Sequence, residues 1–100
     1  MGKLESEFQH HVIQRLENLI GRNGYVLNID GSDINGFPDI LFLYKKRWGF
    51  LECKREENSS LRPHQAYYVE HLNRLSFASF IYPAIEDEVF NDLQQALRIH

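Results

Sequence analysis

Asp39, Glu52 and Lys54 are the residues whose types and spacing suggest chemistry. Two β-type runs carry them. The first is Gly36-Phe37-Pro38-Asp39-Ile40-Leu41-Phe42-Leu43-Tyr44; after four turn-like residues, Gly49-Phe50-Leu51-Glu52-Cys53-Lys54 follows. Side chains alternate faces along a strand, so Glu52 and Lys54 share one face and Cys53 takes the other. In a hairpin the start of one strand lies beside the end of its partner, which brings Asp39 near both. Pro38 fixes its own φ and biases Phe37 towards an extended shape, so Asp39 leaves the loop in a defined direction. Two carboxylates and an ammonium then meet at one end of a sheet.

The elements that must hold them there follow from periodicity. Leu4, Phe8, Val12, Leu16, Leu19 and Ile20 recur at three- and four-residue spacing, which predicts a helix over Leu4 to Ile20, stopped by Gly21 and Asn23-Gly24. Glu5 falls within the apolar stripe of that helix, and Glu7 falls nearly opposite. A carboxylate on a core-facing stripe needs a partner, although Glu5 in the first turn also suits the helix dipole. Tyr25 to Ile29 alternates as a short strand, followed by turn material from Asp30 to Asp33. The hairpin strands come next as Asp39 to Tyr44 and Gly49 to Lys54. Their nearly continuous apolar runs suggest a sheet covered on both faces.

A polar stretch, Arg55 to Ser60, leads into a second helix over Arg62 to Leu75, with Pro63 in its first turn. Its stripe is Leu61, Tyr68, Leu72 and Leu75, flanked by Val69. Gln65 shares that stripe, either reaching the acids or satisfying local backbone groups. Phe77 to Tyr82 is a strand ended by Pro83, and Glu86-Asp87-Glu88 opens a last helix with Val89, Phe90, Leu93, Ala96 and Leu97 on one face. The order is α-β-β-β-α-β-α. This is an α/β fold with a mixed sheet flanked by helices, the last strand joining through a crossover.

Size and charge narrow the functions. One hundred residues suit one domain, spanning 1–100. The net charge of -3 does not advertise nucleic-acid binding. Its distribution is uneven, because Lys45, Lys46, Arg47, Lys54 and Arg55 cluster around the hairpin, and Arg62 follows. Such a patch is either a solvated turn or a phosphate contact. Cys53 is the single cysteine, which excludes an intrachain disulfide and suits a reducing interior. No apolar run approaches ~20 residues, so no membrane span is expected, and no signal-peptide core is present. His10, His11, His64, His71 and His100 lack ligand spacing. Trp48 either stacks on a base or caps the hairpin.

If Glu5, Asp39, Glu52 and Lys54 converge, about two negative charges remain uncompensated locally. A divalent cation is the natural partner, and oxygen ligands favour Mg²⁺ or Mn²⁺. Lys54 is then placed to stabilise charge on a phosphate. The competing account is a surface ion-pair cluster of little energetic value. It leaves Gly-x-Pro before Asp39, the stripe position of Glu5, and Gln65 unexplained.

Gly36-Phe37-Pro38-Asp39, then Glu52-Cys53-Lys54, then Gln65 resembles the signature of the PD-(D/E)XK nuclease superfamily. The likeness is to the virus-type replication-repair nuclease (VRR-NUC) branch and phage Holliday junction resolvases, and covers about Glu5 to Pro83. The resemblance implies a restriction-endonuclease-like fold with an αβββαβ core. It implies a Mg²⁺-dependent DNA endonuclease leaving 5′-phosphate ends, with Mn²⁺ as substitute. Asp39, Glu52, Glu5 and the Cys53 carbonyl would hold the metal, with Lys54 and Gln65 completing the catalytic set. It further implies a homodimer acting on branched or four-way DNA in the cytoplasm of a bacterial or phage-infected cell. Apolar Phe90, Leu93 and Leu97, or the Tyr67-Tyr68 region, would supply the dimer interface. Lys45, Lys46, Arg47, Arg55 and Arg62 would contact DNA. The alternative is a non-catalytic nucleic-acid-binding or assembly subunit that keeps the fold.

Overall fold

A computed structural model of the chain describes residues 3–30, 32–59 and 64–100, with side chains from Glu5 onward. Leu61, Arg62 and Pro63, expected to open the second helix, lie outside the described residues, as does the side chain of Leu4. The elements are α1 (Lys3–Ile20), β1 (Gly24–Asn28), β2 (Ile40–Tyr44), β3 (Arg47–Cys53), α2 (Gln65–Leu75), β4 (Phe77–Ile81) and α3 (Glu86–Leu97). Short 3₁₀ turns at Gly21–Asn23 and Pro83–Ile85 join α1 to β1 and β4 to α3. Among the described residues no helix is long and apolar enough to cross a membrane.

The four strands lie in the order β1-β2-β3-β4. β1 pairs antiparallel with β2, β2 antiparallel with β3, and β3 parallel with β4. Only the last pair needs a crossover, and α2 supplies it. The hairpin register places Ile40 opposite Leu51, so Asp39 stands one residue beyond the strand, level with Glu52.

Two apolar layers sandwich the sheet. On one side Val12, Leu16 and Ile20 of α1 and Val89, Phe90, Leu93 and Leu97 of α3 meet Ile40, Phe42, Leu51, Cys53 and Ile81. On the other, Val69 and Leu72 of α2 meet Phe50 and Ala78, edged by Phe37, Leu41, Trp48 and Tyr68. Gly49 is part of this fit: a Cβ there would come within 2.5 Å of the Phe42 ring on the neighbouring strand. Arg15 of α1 hydrogen bonds to Glu86 and Asp87 and stacks over the Phe90 ring at 4.1 Å, tying α1 to the start of α3. Burial disfavours the charged form of Glu86, but the hydrogen bonds from Arg15 and His11 outweigh it and hold its carboxyl below the usual value.

Several sequence expectations change. The hairpin turn is Lys45–Lys46 alone, because Tyr44 pairs with Arg47 and so draws Arg47 and Trp48 into β3. Trp48 is half-buried with its ring edge-on to Phe50 at 5.7 Å, so it covers the α2-side layer. In α2 the buried stripe is Gln65, Val69 and Leu72, which rotates Leu75 into solvent at 61% exposure. In α3, Ala96 is exposed, while Phe90, Leu93 and Leu97 are at most 1% exposed. Those three are filled by the chain's own core and cannot serve as a dimer interface.

Candidate active site

The site forms where β2 begins and β3 ends. Backbone ladders continue past both strands and fix it there. The Ile29 N–H donates to the Asp39 carbonyl at 2.8 Å, and the Lys54 N–H donates to the Ile81 carbonyl at 2.9 Å. Strand alternation then turns Glu52 and Lys54 to the α2 side, as the spacing predicts. Cys53 points its thiol into the opposite layer, where burial and the neighbouring carboxylates push its pKa up.

Four of the expected residues come together. Asp39, Glu52, Lys54 and Gln65 are all at most 8% exposed, in a class of side chain rarely buried without partners. The Asp39 N–H donates to Glu52 Oε1 at 3.1 Å, and the Cys53 N–H donates to Asp39 Oδ1 at 3.3 Å. Gln65 bridges the other pair: its Nε2 donates to Glu52 Oε2 at 3.0 Å, and its Oε1 accepts from Lys54 Nζ at 2.8 Å. Lys54 Nζ itself lies 3.8 Å from Glu52 Oε2. No buried side-chain nitrogen or oxygen among the described residues lacks a partner.

Gly36 makes this placement of Gln65 possible. The loop before Asp39 packs directly on the first turn of α2, and a Cβ on Gly36 would meet the His64 Cβ at 2.8 Å. Its φ of +86 is also one that side chains rarely adopt. The same loop walls a cavity of about 110 Å³ lined by Asp30, Ser32, Asn35, Phe37, Glu52 and Gln65. Glu52 borders that opening.

Burial dominates the electrostatics. It raises the Asp39 carboxyl to about 6, against the hydrogen bonds from the Cys53 amide and Gln9 that favour its charged form. Burial first, and then repulsion from Asp39, raises Glu52 to about 8, with Lys54 offsetting part of the increase. Two desolvated carboxylates side by side are stabilised by a cation.

The donor set fits a hard divalent ion. Among the described residues each oxygen of Asp39 and Glu52 accepts one hydrogen bond, and a carboxylate offers about four lone-pair sites. Among the described residues no three His, Cys, Asp or Glu side chains are grouped to hold one ion. A set of two carboxylates completed by water suits Mg²⁺, which keeps much of its hydration.

Glu5 therefore does not stand where the expectation put it. It is half-buried on the face of α1 turned to the sheet, and its field reaches Cys53. The residue level with Asp39 is Gln9, one turn later, whose Nε2 donates to Asp39 Oδ2 at 2.9 Å. Four residues advance a helix by ~6 Å, enough to exchange one side chain for the next at a fixed height. Glu7 is exposed and faces away. Asp30 is the second residue that sequence reasoning passed over, since its charge adds to the repulsion felt by both Asp39 and Glu52. Gln9 borders the apolar stripe four residues after Glu5, a signal that could have found it. Asp30 carried none, because a turn acid reads as solvated.

The basic residues lie apart. Lys45 and Lys46 are exposed at the hairpin turn, and the six residue steps from Asp39 to Lys45 span ~20 Å of strand. Arg55 is exposed immediately after Lys54, and Arg62 is outside the described residues. Of the histidines, His11 bonds Glu86 at 2.8 Å, and among the described residues none groups with acids as a metal site.

No protein-family model matches the sequence, and no curated protein matches it. Solved structures do resemble it. One, described as a VRR_NUC domain, superposes with a TM-score of 0.68 at 23% identity, covering 93% of this chain and 97% of that one. Another, a VRR_NUC domain protein, gives a TM-score of 0.63 at 18% identity, covering 99% of this chain and 92% of its own. The four-strand mixed sheet, with α1 and α3 on one face and α2 on the other, is therefore the VRR_NUC domain fold.

Proposed function

We propose that the chain is a divalent-metal-dependent deoxyribonuclease that hydrolyses phosphodiester bonds. The observation that carries this reading is the burial of Asp39 and Glu52 together, bridged to Lys54 by Gln65, beside an open cavity. Asp39, Glu52 and the Cys53 carbonyl would hold Mg²⁺, with Mn²⁺ as substitute. When bound, the ion supplies positive charge that screens the phosphate and eases attack by water. Lys54 donates its ammonium protons to a phosphate oxygen as negative charge builds there. Gln65 holds Lys54 and Glu52 at a set spacing, so the ammonium points at the reacting phosphate instead of collapsing onto the carboxylate. The reaction breaks the bond to the 3′ oxygen and leaves a 5′-phosphate.

The substrate we assign is branched DNA, four-way junctions included. A body of 100 residues offers little surface for reading base sequence. Symmetric cutting of a two-fold junction needs two sites related by a two-fold axis, hence two copies of the chain. Arg55, next to Lys54, is the near phosphate contact; Lys45, Lys46 and Arg47 are distant ones, and Arg62 completes the set. The non-catalytic alternative is weaker, since Asp39, Glu52, Lys54 and Gln65 are all retained and mutually bonded.

The test is cleavage of linear, flapped and four-way DNA with Mg²⁺ or EDTA, read on a denaturing gel. Glu52→Ala should abolish cutting while DNA binding survives. A Glu52→Ala protein that cuts as well as the parent would sink the proposal, and a preference for linear duplex would overturn the substrate assignment.

A further inference from the structure

Gln9 sits at the head of a relay that ends on Asp39. Its Nε2 donates to Asp39 Oδ2 at 2.9 Å and lies 3.5 Å from Asp30 Oδ2. Its Oε1 accepts from Asn28 Nδ2 at 3.4 Å. Asn28 Oδ1 in turn accepts the Asp30 N–H at 3.0 Å. The orientation of both amides follows from chemistry. An ionised carboxylate only accepts, so the Gln9 nitrogen must face the acids. An N–H only donates, so the Asn28 oxygen must face Asp30, which leaves its amino group towards Gln9.

Asp39 is thus gripped at both oxygens, by the Cys53 N–H at Oδ1 and by Gln9 at Oδ2. The backbone donor is fixed by the sheet. Gln9 arrives from a different element, α1, and sets the remaining freedom of the carboxylate, its rotation about the Cβ–Cγ bond. Without that donor, repulsion from Asp30 and Glu52 acts unopposed on Oδ2.

We propose that Gln9 is a positioning residue that orients the Asp39 carboxylate for cation binding, with Asn28 holding Gln9 in register. The inference rests on the reading of Asp39 as a metal ligand. Residues that orient a ligand typically change metal affinity by ~10- to 100-fold when removed.

The test is Mn²⁺ binding to the full chain without DNA, by titration calorimetry and by the loss of the free-ion electron paramagnetic resonance signal. Gln9→Met keeps length and bulk but removes the donor. It should weaken Mn²⁺ binding by about 10-fold or more, and Asn28→Ala should weaken it less. Adding Asn28→Ala to Gln9→Met should change nothing further, because both act through one bond. Gln9→Met binding within twofold of the parent, while Asp39→Asn loses binding, overturns the role of Gln9 alone. Asp39→Asn binding like the parent overturns the metal-ligand reading and this inference with it. If Gln9→Met does not fold, the exposed Asn28→Ala decides, and unchanged affinity there overturns the relay.

Discussion

Replacing Glu52 with glutamine removes a charge from a place where water cannot solvate it. The folded protein holds this carboxyl at about 8 rather than 4.5, chiefly through burial. A raised carboxyl pKa means that the folded state binds the proton more tightly than the unfolded chain. The stability that Glu52 contributes without metal is therefore fully present below pH 4.5, is lost as pH rises from 4.5 to about 8, and changes no further above. At ~1.4 kcal/mol per pH unit the interval amounts to about 5 kcal/mol, against ~5–15 kcal/mol for a whole domain. Glu52→Gln is neutral throughout and escapes that loss, though one amide group then faces a donor where an acceptor stood, at a cost of ~1–3 kcal/mol. The two stability curves should cross. Urea unfolding in EDTA at pH 5, 7 and 9 should show the variant less stable than the parent at pH 5 and more stable at pH 9. Asp39, raised to about 6, titrates in both proteins, so the difference reports Glu52 together with its repulsion of Asp39. Parallel curves from pH 5 to 9 would refute the argument that burial, and not surface ion pairing, governs this site.

Other expectations concern individual contacts. Lys54→Met should lower the cleavage rate by about 100-fold or more while DNA affinity changes little, measured by single-turnover kinetics. Gly36→Ala meets both the φ of +86 and the 2.8 Å approach to His64, so it should destabilise by ~1–3 kcal/mol and reduce cleavage by displacing Gln65. Thermal melts and gel assays on the same preparation test both halves. Leu93→Ala should cost ~2–5 kcal/mol in urea unfolding, from the cavity it leaves in the core, and should leave the oligomeric state of the folded chain unchanged. A change of oligomeric state in Leu93→Ala, read by light scattering, would return α3 to an interface role.

The hairpin was legible because its period is 2 and its geometry local. Once two apolar runs flank a short turn, Asp39 must face Glu52, and Lys54 must share a face with Glu52. Gln65 was half legible: a polar side chain on an apolar stripe has to be satisfied, but the pattern left local backbone groups and the acids as equal partners, and only the family resemblance pointed it to the acids. Glu5 shows the limit of such reasoning. A 3.6-residue period gives direction around a helix and says nothing about height along it. Height is set when α1 docks on the sheet through Val12, Leu16 and Ile20, which is a tertiary event. The α3 stripe shows a second limit, since an apolar face that packs on its own core has the same pattern as one awaiting a partner. The turn was misjudged by two residues because Arg47 and Trp48 are no less compatible with a strand than with a loop.

The distance between the hairpin turn and the acids acts as a ruler. About 20 Å of β2 separates Lys45 from Asp39, and a nucleotide step along one strand of B-form duplex is ~3.4 Å. A duplex lying along β2 and touching both ends would be engaged over roughly six base pairs. On the proposed function, oligonucleotides shorter than this footprint would occupy one end of the molecule or the other, and only longer ones would bridge them.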